Sequence, residues 1–162
     1  MRKKKSSSGP TGKSRPSGRR ARRAALLATT GFRSGFEHKV ALGLTSLGIG
    51  FTYEPDCLRY DAKVSGGRCR ECGAPGVVRS AHYTPDFKLE NGTYVETKGR
   101  FTSKDRTKLV AFRKSNPSVV LRLLFQADNW CTSRHKQRYS DWAIKNGFEY
   151  GIGTAVPAGW AK

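Results

Sequence analysis

The chain has 162 residues, long enough for one domain with a proper core and too short for two well-built ones. Its 31 Lys and Arg against 12 Asp and Glu give a net charge of +19, which points to a polyanion, nucleic acid first, as the partner. No apolar stretch approaches the ~20 residues needed to cross a bilayer and no hydrophobic signal core follows the basic start, so a cytoplasmic protein without a membrane partner is expected.

The opening MRKKKSSSGPTGKSRPSGRRARR mixes like charges with Ser, Gly and Pro and holds no acid. It cannot bury apolar surface, so residues 1–30 are expected to form a disordered basic arm that holds phosphates non-specifically. An Arg- and Ser-rich transit peptide is the competing reading, against which Gly9, Pro10, Pro16 and Gly18 break any amphipathic helix. The rest of the chain still has more basic than acidic residues, so the domain expected over residues 31–162 is basic in its own right.

In GFRSGFEHKVALGLTSLGIGF, Phe36, Val40, Leu44 and Leu47 recur at helical spacing, with Ser34 placed as N-cap and Gly48 beyond the end. Glu37 stands three residues after Ser34, where a capping box accounts for it fully. Phe51 to Tyr53 reads as a strand broken at Pro55, and the chain then turns irregular as far as His82. Within that stretch Cys69-Arg-Glu-Cys72-Gly73 is half of a structural zinc site, which Cys57 and His82 could complete; free thiols and a disulfide are the alternatives, the latter disfavoured in a reduced compartment.

The most informative stretch is YTPDFKLENGTYVETKGR, residues 83–100. Two short β-prone runs flank Asn91-Gly92, a hairpin signal. Alternate residues of a strand share a face, so Glu96 and Lys98 stand about 7 Å apart on one side while Thr97 faces the other. A two-residue turn would pair Asp86 with Thr97 on the wrong face. A three-residue loop Asn91-Gly92-Thr93, with Gly92 left-handed, brings Asp86 opposite Lys98 and onto the side of Glu96. Pro-Asp followed by Glu-x-Lys is the pattern of the PD-(D/E)xK nucleases, whereas a lone Asp or Glu-x-Lys would mean no more than a charged hairpin face.

Residues 102–115 read as a helix capped by Ser103, with Leu109 and Phe112 inward and Lys104, Arg106, Lys108, Arg113 and Lys114 around a wet face. VVLRLLFQ (119–126) reads as a buried central strand. A second helix follows from Ser140 to Gly147, and Trp160 anchors an end without readable period.

Taken in order, GFRSGFEHKV, FTYEP, YTPDF, NGTYVETKGR and an apolar strand after a basic helix resemble the phage endonuclease I family of Holliday-junction resolvases. The likeness runs from about Gly31 to Trp160, with residues 63–82 as an inserted Cys-containing loop and a longer basic arm as departures. The resemblance implies an α/β fold, a restriction-endonuclease-like core with a mixed central sheet flanked by helices, in an intertwined domain-swapped dimer. It implies a hydrolase that cuts branched DNA with two Mg2+ or Mn2+ ions per site and no small-molecule cofactor. Glu37, Asp86, Glu96 and Lys98 would form the active site, with the Thr97 carbonyl as a further metal ligand and Glu37 contributed by the other subunit. Lys98, its pKa lowered by the ions, would orient the attacking water or accept its proton. Arg33, Arg100, Lys104, Arg106 and Lys108 are the candidate DNA contacts. Two rival functions remain open, a nuclease of the same superfamily acting on linear duplex and a non-catalytic basic nucleic-acid-binding protein.

Overall fold

A computed structural model describes Ala25, residues 28–64 and residues 66–162. The chain divides into two units, Met1–Ser34 and Gly35–Lys162. The arm expected over residues 1–30 lies almost wholly outside the described residues, and the second unit begins four positions after the expected boundary at residue 31.

In that unit the first helix, α1 (Gly35–Ser46), begins directly after Ser34. Its helical spacing buries Phe36, Val40, Ala41 and Leu44. Leu47 does not join them: the helix has ended, Gly48 takes a left-handed φ of 65°, and Leu47 is 60% exposed.

The main sheet is formed by β1 (Phe51–Tyr53), β4 (Phe87–Leu89), β5 (Tyr94–Lys98), β6 (Leu121–Phe125) and β7 (Tyr150–Ile152), in the order β1-β4-β5-β6-β7. β4 runs antiparallel to both β1 and β5, whereas β5, β6 and β7 are parallel to one another. The expected α/β fold with a mixed central sheet is therefore the observed one. β6 is an interior strand, but the strand at the centre is β5, the one that carries Glu96 and Lys98.

Parallel strands need a crossover. Between β5 and β6 it is α2 (Ser103–Ser115), whose cap is Thr102 and not Ser103: Thr102 and Asp105 close a reciprocal capping box. Between β6 and β7 lies α3 (Tyr139–Lys145). Leu109 and Phe112 of α2, Trp142 and Ala143 of α3, Phe101 and Phe148 form one core with Tyr94, Leu121, Leu123 and Phe125 of the sheet. Ring pairs such as Phe101 and Trp142, 4.8 Å apart and edge-on, fill it.

The stretch between Asp56 and His82 is not irregular throughout. β2 (Leu58–Lys63) and β3 (Val78–Tyr83) pair antiparallel as a separate two-stranded ribbon packed on α2. Leu58, Tyr60 and Ala62 alternate toward the core with Arg59, Asp61 and Lys63 between them, a period-two pattern that the sequence carried. At the ribbon's tip, residue 64 and residues 66–77 form no strand, and an isolated bridge joins Arg68 to Pro75. Trp160 is buried in a 3-10 turn (Ala158–Trp160), and its indole N–H donates to Glu149 Oε1 at 2.6 Å.

Candidate active site

The hairpin between β4 and β5 sets the site. Its loop holds three residues, as expected, but they are Glu90, Asn91 and Gly92: the Leu89 N–H donates to the Thr93 carbonyl, and Gly92 is left-handed at φ 82°. The ladder pairs are Phe87 with Val95 and Lys88 with Tyr94, so Asp86 comes into line with Glu96 and not with Lys98. The shift of two positions keeps the parity, and Asp86 and Glu96 still belong to the same side of the sheet.

Pairing stops at Phe87, which leaves the Thr97 N–H without a backbone acceptor on β4. Asp86 supplies one: its Oδ2 accepts from both the Thr97 N–H and the Thr97 hydroxyl at 2.7 Å. Glu96 is 2% exposed; its Oε1 pairs with the Lys98 ammonium, while Oε2 is buried with no hydrogen-bond partner among the described residues. The hydroxyl of buried Tyr83 is likewise without one. Because Tyr94, Glu96 and Lys98 share a face, the carboxylate of Glu96 is presented to the aromatic side of the molecule.

Electrostatics follow from that burial. Loss of solvent raises the Asp86 carboxyl to about 7, the charge of Glu96 adds to the effect, and Lys98 and the Thr97 bonds oppose it. Burial works against the Lys98 cation, but Glu96 and then Asp86 outweigh it and its pKa is raised. Tyr83 is pushed well above its ordinary range by burial first and by Glu96 second.

Glu37, in the first turn of α1, is half-buried, and its Oε2 accepts from the Tyr53 hydroxyl at 2.6 Å. The Tyr53 ring packs edge-on against Phe87, next to Asp86 in the chain. Among the described residues, no three His, Cys, Asp or Glu side chains gather in a group able to hold a metal ion as they stand.

The four candidate zinc ligands are not brought together either. Cys57 and His82 sit at the base of the ribbon, where Leu58 pairs with Tyr83 and Arg59 with His82, whereas Cys69 and Cys72 lie at its tip beyond the Lys63 and Val78 pair. Six-residue strands separate the two ends by about 17 Å. All four cysteines, Cys131 included, are free thiols.

Of the candidate DNA contacts, Arg33 is exposed in the first unit, and Arg100 and Lys104 are exposed beside the end of β5 and in the first turn of α2. Arg106 is turned to structure, its guanidinium donating to the Phe101 carbonyl at 2.9 Å. Lys108 is half-buried, its ammonium 4.3 Å from the centre of the Tyr83 ring. Tyr53 and Tyr83 escaped the sequence reading. Their signal was position, at the inner end of β1 and one step before Thr-Pro-Asp.

Comparison with known proteins agrees with this arrangement. The family model for phage endonuclease I matches residues 19–162. Endonuclease I of Escherichia phage T7 is 35% identical over 136 residues, 81% of this chain and 78% of that protein. Endodeoxyribonuclease 1 of Enterobacteria phage T3 is 37% identical over 123 residues, 72% of this chain and 68% of its own. With the match covering the whole second unit and the strand that bears Glu96 and Lys98 at the centre of its sheet, the chain belongs to the phage endonuclease I family.

Proposed function

We propose that this endonuclease cuts branched DNA, chiefly four-way junctions, by magnesium- or manganese-dependent hydrolysis of phosphodiesters, and that it acts as a homodimer. The observation that carries the reading is the meeting of Asp86, Glu96 and Lys98 at the C-terminal end of β5, with a buried carboxylate oxygen of Glu96 left unpaired. A carboxyl raised to about 7 by burial and then by a second acid, beside a carboxylate oxygen with no described partner, is short of positive charge, and an all-oxygen donor set fits a hard divalent cation. Asp86, Glu96 and the Thr97 carbonyl would hold such ions, and Glu37 would complete the set. When bound, two ions neutralise phosphate oxygens, acidify the attacking water and steady the leaving 3′ oxygen.

The protein's own groups do the rest. Thr97 fixes the Asp86 carboxylate with two hydrogen bonds, so one oxygen is committed and the other is presented. Lys98, its pKa raised and its ammonium pinned by Glu96, is a proton donor in the metal-free protein, suited to orienting a water or a phosphate oxygen. Shape and phosphate spacing supply junction choice, since a resolvase accepts many sequences, and exposed Arg100 and Lys104 with the basic arm supply affinity.

An exchanged dimer would make the same contacts in trans. Here α1 and β1 belong to the sheet of their own chain, β1 pairing with β4. An exchanged dimer would keep that pairing between subunits, with residues 54–57 as the connection, where Glu54 holds a left-handed φ of 46° just before Pro55.

The test compares cleavage of a four-way junction with that of its linear arms in magnesium, with and without EDTA. Junction cutting that EDTA stops, and that Glu96→Ala abolishes while junction binding survives, is the expected result. Equal rates on junction and arms would replace the resolvase reading with a nuclease for linear duplex. A wild type inert with magnesium and manganese would leave a DNA-binding protein.

A further inference from the structure

The basic residues of α2 are not equivalent. Lys104, Arg113 and Lys114 are exposed, whereas Lys108 is half-buried with its ammonium held over the face of Tyr83 at 4.3 Å. Tyr83 is 3% exposed and locked edge-on against Phe112 at 4.7 Å, so the platform under Lys108 is rigid. The reciprocal cap of Thr102 and Asp105 fixes where α2 starts after the catalytic strand, and hence where Lys108 falls. Lys108 makes no ion pair with any described residue. Burial lowers its pKa; the charge of Glu96 opposes that, and the like charge of Lys98 lowers it further. A cation is therefore stationed beside the carboxylate cluster, partly stripped of water and without a carboxylate of its own.

We propose that Lys108 is a second phosphate-binding cation of the active site, gripping a non-bridging oxygen of the DNA backbone next to the phosphate that is cut, with Tyr83 as its platform. The inference rests on the nuclease reading for which phosphate that is, but not for the contact itself. Lys98 is engaged by Glu96, so a phosphate backbone entering over two buried acids needs a free cation to offset their repulsion, and Lys108 is placed to provide it.

The experiment measures binding of a junction oligonucleotide in EDTA, by fluorescence anisotropy, with neutral methylphosphonates replacing backbone phosphates one at a time. Wild type, Lys108→Gln, Lys108→Arg and Lys114→Gln are compared, the last as a control for loss of one helix charge, and each is checked by circular dichroism. We expect Lys108→Gln to weaken binding about tenfold, as for loss of one charge-assisted contact, and Lys114→Gln to do so much less. One methylphosphonate position should weaken the wild type and Lys108→Arg, yet leave Lys108→Gln unaffected. Lys108→Gln binding like Lys114→Gln, or keeping the wild-type methylphosphonate profile, would overturn the proposal. A wild type that cuts nothing sinks the nuclease reading alone, because this comparison is read by binding without metal.

Discussion

The Asp86 carboxylate takes the place of a ladder acceptor for Thr97: where β4 stops pairing, the side chain of Asp86 receives the N–H and the hydroxyl that β5 still offers. The end of a strand pair and the placing of the Asp86 carboxylate are thus one event. Thr97→Val, which keeps the shape and the N–H bond but removes the hydroxyl, should leave the fold intact and lower kcat/KM about tenfold, the value of one hydrogen bond to a charged group. A variant with wild-type activity and wild-type magnesium dependence would show that the hydroxyl does not position Asp86.

Asp86 also makes stability depend on pH. Its carboxyl is raised to about 7 in the folded protein, chiefly by burial, against about 3.9 in an unfolded chain. The folded state therefore binds a proton that the unfolded state has released. The stabilisation is complete below about pH 4 and is lost as pH rises to about 7, at up to about 1.4 kcal/mol per pH unit. In EDTA, urea unfolding of the wild type should thus lose stability relative to Asp86→Asn between pH 5 and pH 7, and run parallel to it above pH 8. Parallel curves over the whole range would refute the buried, proton-holding carboxyl.

Much of this was legible. The alternation of Tyr94, Glu96 and Lys98 gave the face, and Phe36, Val40 and Leu44 gave the helix. The hairpin register was not, because Asn91-Gly92 closes loops of either parity. What selects Glu90 as the first loop residue lies far along the chain: the Asn91 amide donates to the carbonyls of Trp160 and Lys162, and its oxygen accepts the Thr93 N–H. The ribbon of β2 and β3 was hidden by its Gly- and Cys-rich tip. Lys108 looked like any wet-face lysine, since its platform, Tyr83, lies on a different element and 25 positions earlier.

The ribbon also bears on zinc. Cys69 and Cys72 form a tight turn, with the Cys72 and Glu71 backbone N–H groups lowering the Cys69 thiol, but two thiols are half a tetrahedral site. With Cys57 and His82 at the other end, one chain should hold no zinc, and Cys69→Ser with Cys72→Ser should leave Tm unchanged. Metal analysis of protein purified without chelator checks this. Stoichiometric zinc lost in the double variant would mean that the tip finds its remaining ligands elsewhere.

The exchanged dimer makes the sharpest prediction, because it decides which chain supplies Glu37. If α1 and β1 cross over, each site combines Glu37 of one chain with Asp86, Glu96 and Lys98 of the other. Glu37→Ala and Glu96→Ala are each expected to be inactive alone. A heterodimer of the two would then contain one site with both lesions and one with neither, and co-expression should restore cutting, confined to one strand of each junction. If Glu37 serves the sheet of its own chain, each site of the heterodimer carries one lesion and co-expression restores nothing. Isolating the heterodimer by two different affinity tags and scoring nicked against fully resolved junctions separates these outcomes.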